Sequence, residues 1–126
     1  LVITSKKIIS LRIDESLYFP NARYLEDSVN SYVGKEPEIT DVILMFSAIN
    51  YLDASALESL EAINRRLADA KVNLHLSEVK GPVMDQLKRT HFLSELSGQV
   101  FLSQFDAFKY LEPELAERTL NSNKIW

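Results

Sequence analysis

Val42-Ile43-Leu44-Met45-Phe46-Ser47-Ala48-Ile49-Asn50-Tyr51-Leu52-Asp53-Ala54-Ser55 is the stretch that decides the fold. Its first five residues are an unbroken apolar run bounded by polar turns, which suits a central strand covered on both faces. Beyond Asp53, Leu57, Leu60, Ile63 and Leu67 recur at helical spacing, with Glu58, Glu61, Arg65 and Arg66 turned outward. That is an amphipathic helix with one face for the core. Asp53 stands at its N-cap position, where a carboxylate accepts a free backbone N–H and complements the positive helix end. Ser55 then falls in the first turn.

Upstream, Ile9, Leu11 and Ile13 alternate with Ser10 and Arg12, the period of a half-buried strand. Asp14-Glu15-Ser16 reads as a turn and Leu17-Tyr18-Phe19 as a second short strand, together a hairpin. Pro20-Asn21 opens a helix with Ala22, Leu25, Val29 and Tyr32 (or Val33) on one face and Gly34 as its stop. Glu36-Pro37-Glu38 is a connecting loop. Downstream, Val72, Leu74 and Leu76 alternate with Asn73, His75 and Ser77 as another strand. Gly81-Pro82 begins a helix, with Val83, Leu87 and Met84 on its apolar side and its end near His91. Val100-Phe101-Leu102 is a last strand, and Ser103 with Asp106 is a capping pair before Phe105, Phe108, Tyr110 and Leu111. Pro113 either breaks this final helix or starts a short continuation through Leu115.

The expected order is ββαβαβαβα. This is an α/β fold with a central, mostly parallel sheet and one antiparallel N-terminal hairpin strand. One domain is expected over residues 7–118, with flanking segments 1–6 and 119–126. A chain of 126 residues fits one domain and buries roughly two thirds of its unfolded surface. The start at Leu1, without Met, suggests a domain cut from a longer protein or one lacking residues at its front.

Composition excludes several classes. The net charge is −4 and the basic pairs Lys6-Lys7, Arg65-Arg66 and Lys88-Arg89 are dispersed, which argues against a phosphate-tracking surface. There is no cysteine, hence no disulfide, thiolate or Cys-based zinc chemistry. No apolar run approaches the ~20 residues that span a bilayer, and no signal peptide is visible.

Ligands gather at the carboxyl ends of strands in parallel α/β sheets, which points to the Ser47–Ser55 junction. Tyr51 and Leu52 lie in a loop where burial is not required, so with Asn50, Asp53 and Ser55 they are the candidate contact residues, the competing reading for these two being side chains tucked under the loop. For Ser55 the plainer competing reading is a residue that packs or caps in the first helical turn. Enzyme readings find little. His75 on a strand's polar face and His91 near a helix end read as surface or rim residues with no common site. The acids are scattered on solvated faces, and the three glycines form no phosphate loop. No His/Asp/Glu group has metal spacing. Phe46, Phe92, Phe101, Phe105 and Phe108 read as core or helix-packing residues. The expectation is a non-catalytic module with no cofactor and no metal.

Asp53-Ala54-Ser55-Ala56-Leu57 resembles the Asp-Ser-Ser/Thr-Gly-Leu element of STAS domains, the sulfate transporter and anti-sigma-factor antagonist family. Arg12 to Phe19 with Asn21-Ala22 looks like the first hairpin of STAS tails in bacterial SulP-type anion transporters. Val42–Phe46 followed by Asp53 has their strand-loop-aspartate spacing. Gly81-Pro82-Val83 to Leu87 resembles their third helix, and Phe101 with Phe105-Asp106-Ala107 their last strand and helix. The likeness covers roughly residues 7–112. The chain departs from it at Ala54, in place of a hydroxyl residue, and at Ala56, in place of glycine.

The resemblance implies a STAS fold and a regulatory, protein-interaction domain of a transporter of sulfate, bicarbonate or dicarboxylate. That domain would sit on the cytoplasmic face of the bacterial inner membrane. Its implied partner is the transmembrane domain of the same polypeptide. Acyl carrier protein or another cytosolic regulator is a further one, held by a basic patch at Arg65-Arg66 or Lys88-Arg89, and a homodimer could form through the full-length transporter. The alternative is a free-standing anti-sigma-factor antagonist, in which Ser55 would match the phosphorylated serine. A phosphate there adds about −1.5 to −2 charges beside Asp53.

Overall fold

Five strands lie side by side in the order in which they occur along the chain. This computed structural model describes residues 2–3, 7–13, 19–35, 38–103 and 105–111. The elements are β1 (Val2–Ile3), β2 (Ile8–Arg12), α1 (Phe19–Lys35), β3 (Asp41–Met45), α2 (Ala54–Asp69), β4 (Asn73–Ser77), α3 (Gly81–Lys88), α4 (Phe92–Glu95) and β5 (Val100–Phe101). A last helix, α5, covers 105–111. β1 is antiparallel to β2, and β2, β3, β4 and β5 run parallel.

Parallel neighbours need crossovers, and crossovers are right-handed almost without exception. Successive steps across the sheet in one direction therefore put the connecting helices on the same face. The burial follows this rule. Val42 pairs in register with Ile9 and Leu74, and Leu44 with Leu11 and Leu76. That aliphatic face packs with Val29 of α1, Leu60, Ile63 and Leu67 of α2, Val83 and Leu87 of α3, and Phe92 of α4. On the opposite face, Ile8 and Ile43 pack with Ala107 and Leu111 of α5. The apolar run 42–46 thus forms the strand expected of it. Val42, Ile43, Leu44 and Phe46 are all fully buried because β3 is central and covered on both sides.

At the N-terminal end Phe19 departs from expectation: it opens α1 rather than ending a strand. Among the described residues the strand antiparallel to β2 is Val2–Ile3, two residues of the segment expected to flank the domain. Proline suits the first turn of a helix, so a helix containing Pro20 can include Phe19. Asp14-Glu15-Ser16 and Leu17-Tyr18 lie outside the described residues, as do Pro113, Leu115 and the tail from 112 onward. A further difference is α4, a single turn anchored by the buried Phe92 and too short to show periodicity. Among the described residues the order is ββαβαβααβα.

The second face of the sheet also overturns the placement of His75. It is only 3% exposed, not a surface or rim residue. Its alternating neighbours look like a half-exposed strand, but the polar row of β4 is covered. The His75 ring lies 5.6 Å from that of Phe101. The Gln99 N–H donates to His75 Nδ1 at 3.0 Å, which requires the proton on Nε2, and Nε2 donates to Asp41 Oδ1 at 2.8 Å. Asp41, fully buried at the start of β3, also accepts from Thr40 Oγ1 at 2.8 Å and from Asn73 Nδ2 at 3.4 Å. Gly98 makes room for this arrangement. A Cβ there would collide with the Leu74 carbonyl oxygen and the His75 ring.

Two aromatic expectations divide. Phe46 and Phe92 are core residues, whereas Phe105 is 72% exposed. Lys109 Nζ lies 5.8 Å from the centroid of the Phe105 ring. Phe105 opens α5, which turns Ala107 and Leu111 to the sheet and leaves Phe105 outside.

Candidate functional site

The carboxyl end of β3 leads directly into the candidate contact loop. The Phe46 N–H donates to the Ser77 carbonyl at 2.9 Å, continuing the β3–β4 pairing by one residue, and the Ile49 N–H donates to the Phe46 carbonyl at 2.9 Å. Ile49 and Leu52 are buried, while Asn50 and Tyr51 are exposed. The loop thus sets two presented residues between two buried anchors.

Asp53 is the N-cap of α2, as expected. Its backbone is extended (φ −86°, ψ 175°), and the Ala56 N–H donates to its Oδ1 at 2.7 Å. Such a cap contributes about 1 kcal/mol. Ala56, which stands where the family motif has glycine, is fully buried beneath it. Ser55 is half-buried and lines an open groove between α1 and α2, together with Glu26, Glu58, Glu61 and Arg65. Among the described residues, three carboxylates and one guanidinium line that groove. It differs from the enclosed, mostly apolar pockets that take small ligands.

Of the five residues singled out, Asn50, Tyr51, Asp53 and Ser55 are at least partly accessible. Leu52 is 1% exposed, so its side chain belongs to the core and supports the loop from below. Tyr51 is 61% exposed.

Two residues with no signal in the sequence complete the site. The Leu52 N–H donates to Gln86 Oε1 at 3.0 Å, and Gln86 Nε2 donates to the Leu52 carbonyl at 2.7 Å. The Lys80 ammonium donates to Asn50 Oδ1 at 2.7 Å. The backbone takes a left-handed residue at Glu78 (φ 54°) just after β4, and Lys80 follows as the residue that precedes α3. Lys80 lies thirty residues from Asn50 and Gln86 thirty-four from Leu52, and no spacing in the sequence links either to the loop. Among the described residues, no group of three or more His, Asp or Glu could hold a metal ion. None of the helices is long and apolar enough to cross a membrane, among those described.

Comparison with known proteins fits this arrangement. The STAS domain family model matches residues 2–107. Sulfate transporter 1.1 of Arabidopsis thaliana is 26% identical over 121 residues, covering 88% of this chain and 19% of the transporter. The chain therefore spans about a fifth of the length of the curated relatives it matches. A sulfate transporter family protein from Wolinella succinogenes superimposes with a TM-score of 0.75 at 19% identity, covering 92% of this chain and 93% of that one. The SulP transporter STAS domain from Vibrio cholerae does so with a TM-score of 0.76 at 13% identity, over 91% and 88%. A family match over most of the chain, on a parallel sheet with a capped helix following its central strand, leads to one conclusion: this chain belongs to the STAS domain family.

Proposed function

We propose that this chain is the regulatory, protein-interaction domain of a SulP-type anion transporter, and that it works by contact rather than catalysis. The observation that carries this reading is the match to one fifth of a sulfate transporter, across nearly all of this chain. The domain would sit on the cytosolic side, help the transporter assemble and relay regulatory signals to its transmembrane part. Its contact face would be Asn50, Tyr51, Asp53 and Ser55. The anion (sulfate, bicarbonate or dicarboxylate) would bind in the membrane part. The bacterial inner membrane is proposed from the likeness to bacterial tails; the curated relatives are plant proteins. Acyl carrier protein, an acidic partner, would need the exposed Arg65-Arg66 or Lys88-Arg89 pairs.

The anti-sigma-factor antagonist reading shares the same fold, and a fold alone does not assign a function. The surroundings of Ser55 weigh against it. A phosphate there would enter a groove whose described lining carries Glu26, Glu58 and Glu61 against Arg65.

Fractionation of cells that express the native gene provides the test, with an antibody to this domain. Retention in the membrane fraction through salt and alkaline washes supports the transporter reading. A wholly soluble product, carrying phosphate on Ser55 after incubation with a cognate anti-sigma kinase, would overturn it.

A further inference from the structure

We infer that Gln86 and Lys80 are positioning residues that present Tyr51 as the anchor of the contact face. This inference rests on the protein-contact reading of the loop proposed above. The loop is held at three points on either side of Tyr51. Asn50 is tied through its side chain to Lys80. Leu52 is tied through both backbone groups to one carboxamide, that of Gln86. Asp53 is tied through its carboxylate to the first turn of α2.

The Gln86 amide is planar and offers one donor and one acceptor. It pairs with Leu52 as a neighbouring strand would, satisfying an N–H and a carbonyl through one side chain. The Leu52 side chain is buried beneath, and so is Ile49. Tyr51 stands between these fixed points and is 61% exposed. A large ring on a backbone clamped on both sides loses little freedom on binding, which is the property of a preorganised aromatic anchor. The matching partner surface is an apolar slot deep enough for one ring, with a polar group at its end for the phenol oxygen. Because both clamps come from α3 or its N-cap, displacement of α3 would shift the anchor without touching the partner.

The experiment has two readouts. In the 126-residue chain, amide exchange at Leu52 should accelerate on the order of tenfold in Gln86→Leu, as two hydrogen bonds are lost. Exchange at Leu44 and Leu74 should stay unchanged. In the native gene product in its own membranes, a photo-crosslinking phenylalanine derivative replaces Tyr51, and its yield to the membrane part should fall in parallel. Gln86→Glu keeps the acceptor for the Leu52 N–H but loses the donor, so it should be intermediate in both; it also guards against a poorly folded leucine variant. Faster Leu52 exchange with an undiminished crosslink would overturn the positioning role, as would exchange unchanged at Leu52. A crosslink absent from the unmodified Gln86 background would instead sink the contact-face reading and Tyr51's role with it. The exchange data would still report separately on whether Gln86 holds the loop.

Discussion

Asp41→Ala removes the acceptor at the centre of the buried network. Its carboxylate takes hydrogen bonds of 2.8 Å from both His75 Nε2 and Thr40 Oγ1, and a longer one from Asn73. Without it, the Nε2–H of a histidine that is 3% exposed loses its partner. A stranded buried donor costs about 1–3 kcal/mol, and each hydrogen bond to a charged group contributes roughly 1.5–3. Relief from burying a carboxylate returns part of that loss. The net expectation is about 3–4 kcal/mol, above most single substitutions because several buried hydrogen bonds are lost together. Against a total of ~5–15 kcal/mol, this is a large fraction, and it should lower the melting temperature by roughly 10 °C.

Urea unfolding followed by circular dichroism measures it, with the slope m unchanged if only stability is altered. Asp41→Asn keeps an acceptor for Nε2 and should lose about half as much. In the double variant Asp41→Ala/His75→Leu the loss should be smaller than the sum, since the stranded N–H is gone. A cost below about 1 kcal/mol for Asp41→Ala, the level of an ordinary substitution, would refute the claim that this network is bonded as described.

Gly98→Ala should destabilise by about 1–3 kcal/mol or more, because the new methyl meets a main-chain oxygen of β4 that cannot swing away; a urea midpoint equal to that of the parent would contradict this. Asp53→Ala should cost about 1 kcal/mol, whereas Asp53→Asn, which still caps, should stay close to the parent in the same titration. Tyr51 and Leu52 are neighbours with opposite roles. Tyr51→Ala should leave stability within about 0.5 kcal/mol while removing partner contact in a pull-down. Leu52→Ala should cost about 2–5 kcal/mol as a core truncation.

What could be learned without a structure is what the chain encodes over short distances. The apolar run 42–46 announces a central strand because five consecutive large hydrophobes fit only where both faces are covered. Leu57, Leu60, Ile63 and Leu67 announce α2 by period. Asp53 and Ser103 announce the starts of α2 and α5, each by a side-chain oxygen that accepts an N–H three residues on. These depend on backbone geometry within one or two turns, so residue type at a given spacing is sufficient. Phe19 reads as a strand residue because Leu17-Tyr18-Phe19 has strand character, yet a helix can begin ahead of Pro20 and takes Phe19 as its first residue.

Tertiary structure alone decided which polar residues are inside and which loop residue faces out. His75 sits in an alternation that suits a half-exposed strand, and only the covered second face shows it bonded to Asp41 and Gln99. Tyr51 and Leu52 are indistinguishable as apolar loop residues until one is seen at 61% exposure and the other at 1%. Gln86 is an ordinary helical polar residue until the crossover brings its amide against a backbone thirty-four positions away. Local chemistry determined where the strands and capped helices lie. The pairing of distant polar groups is set by which elements the right-handed crossovers bring together, and no local pattern records that.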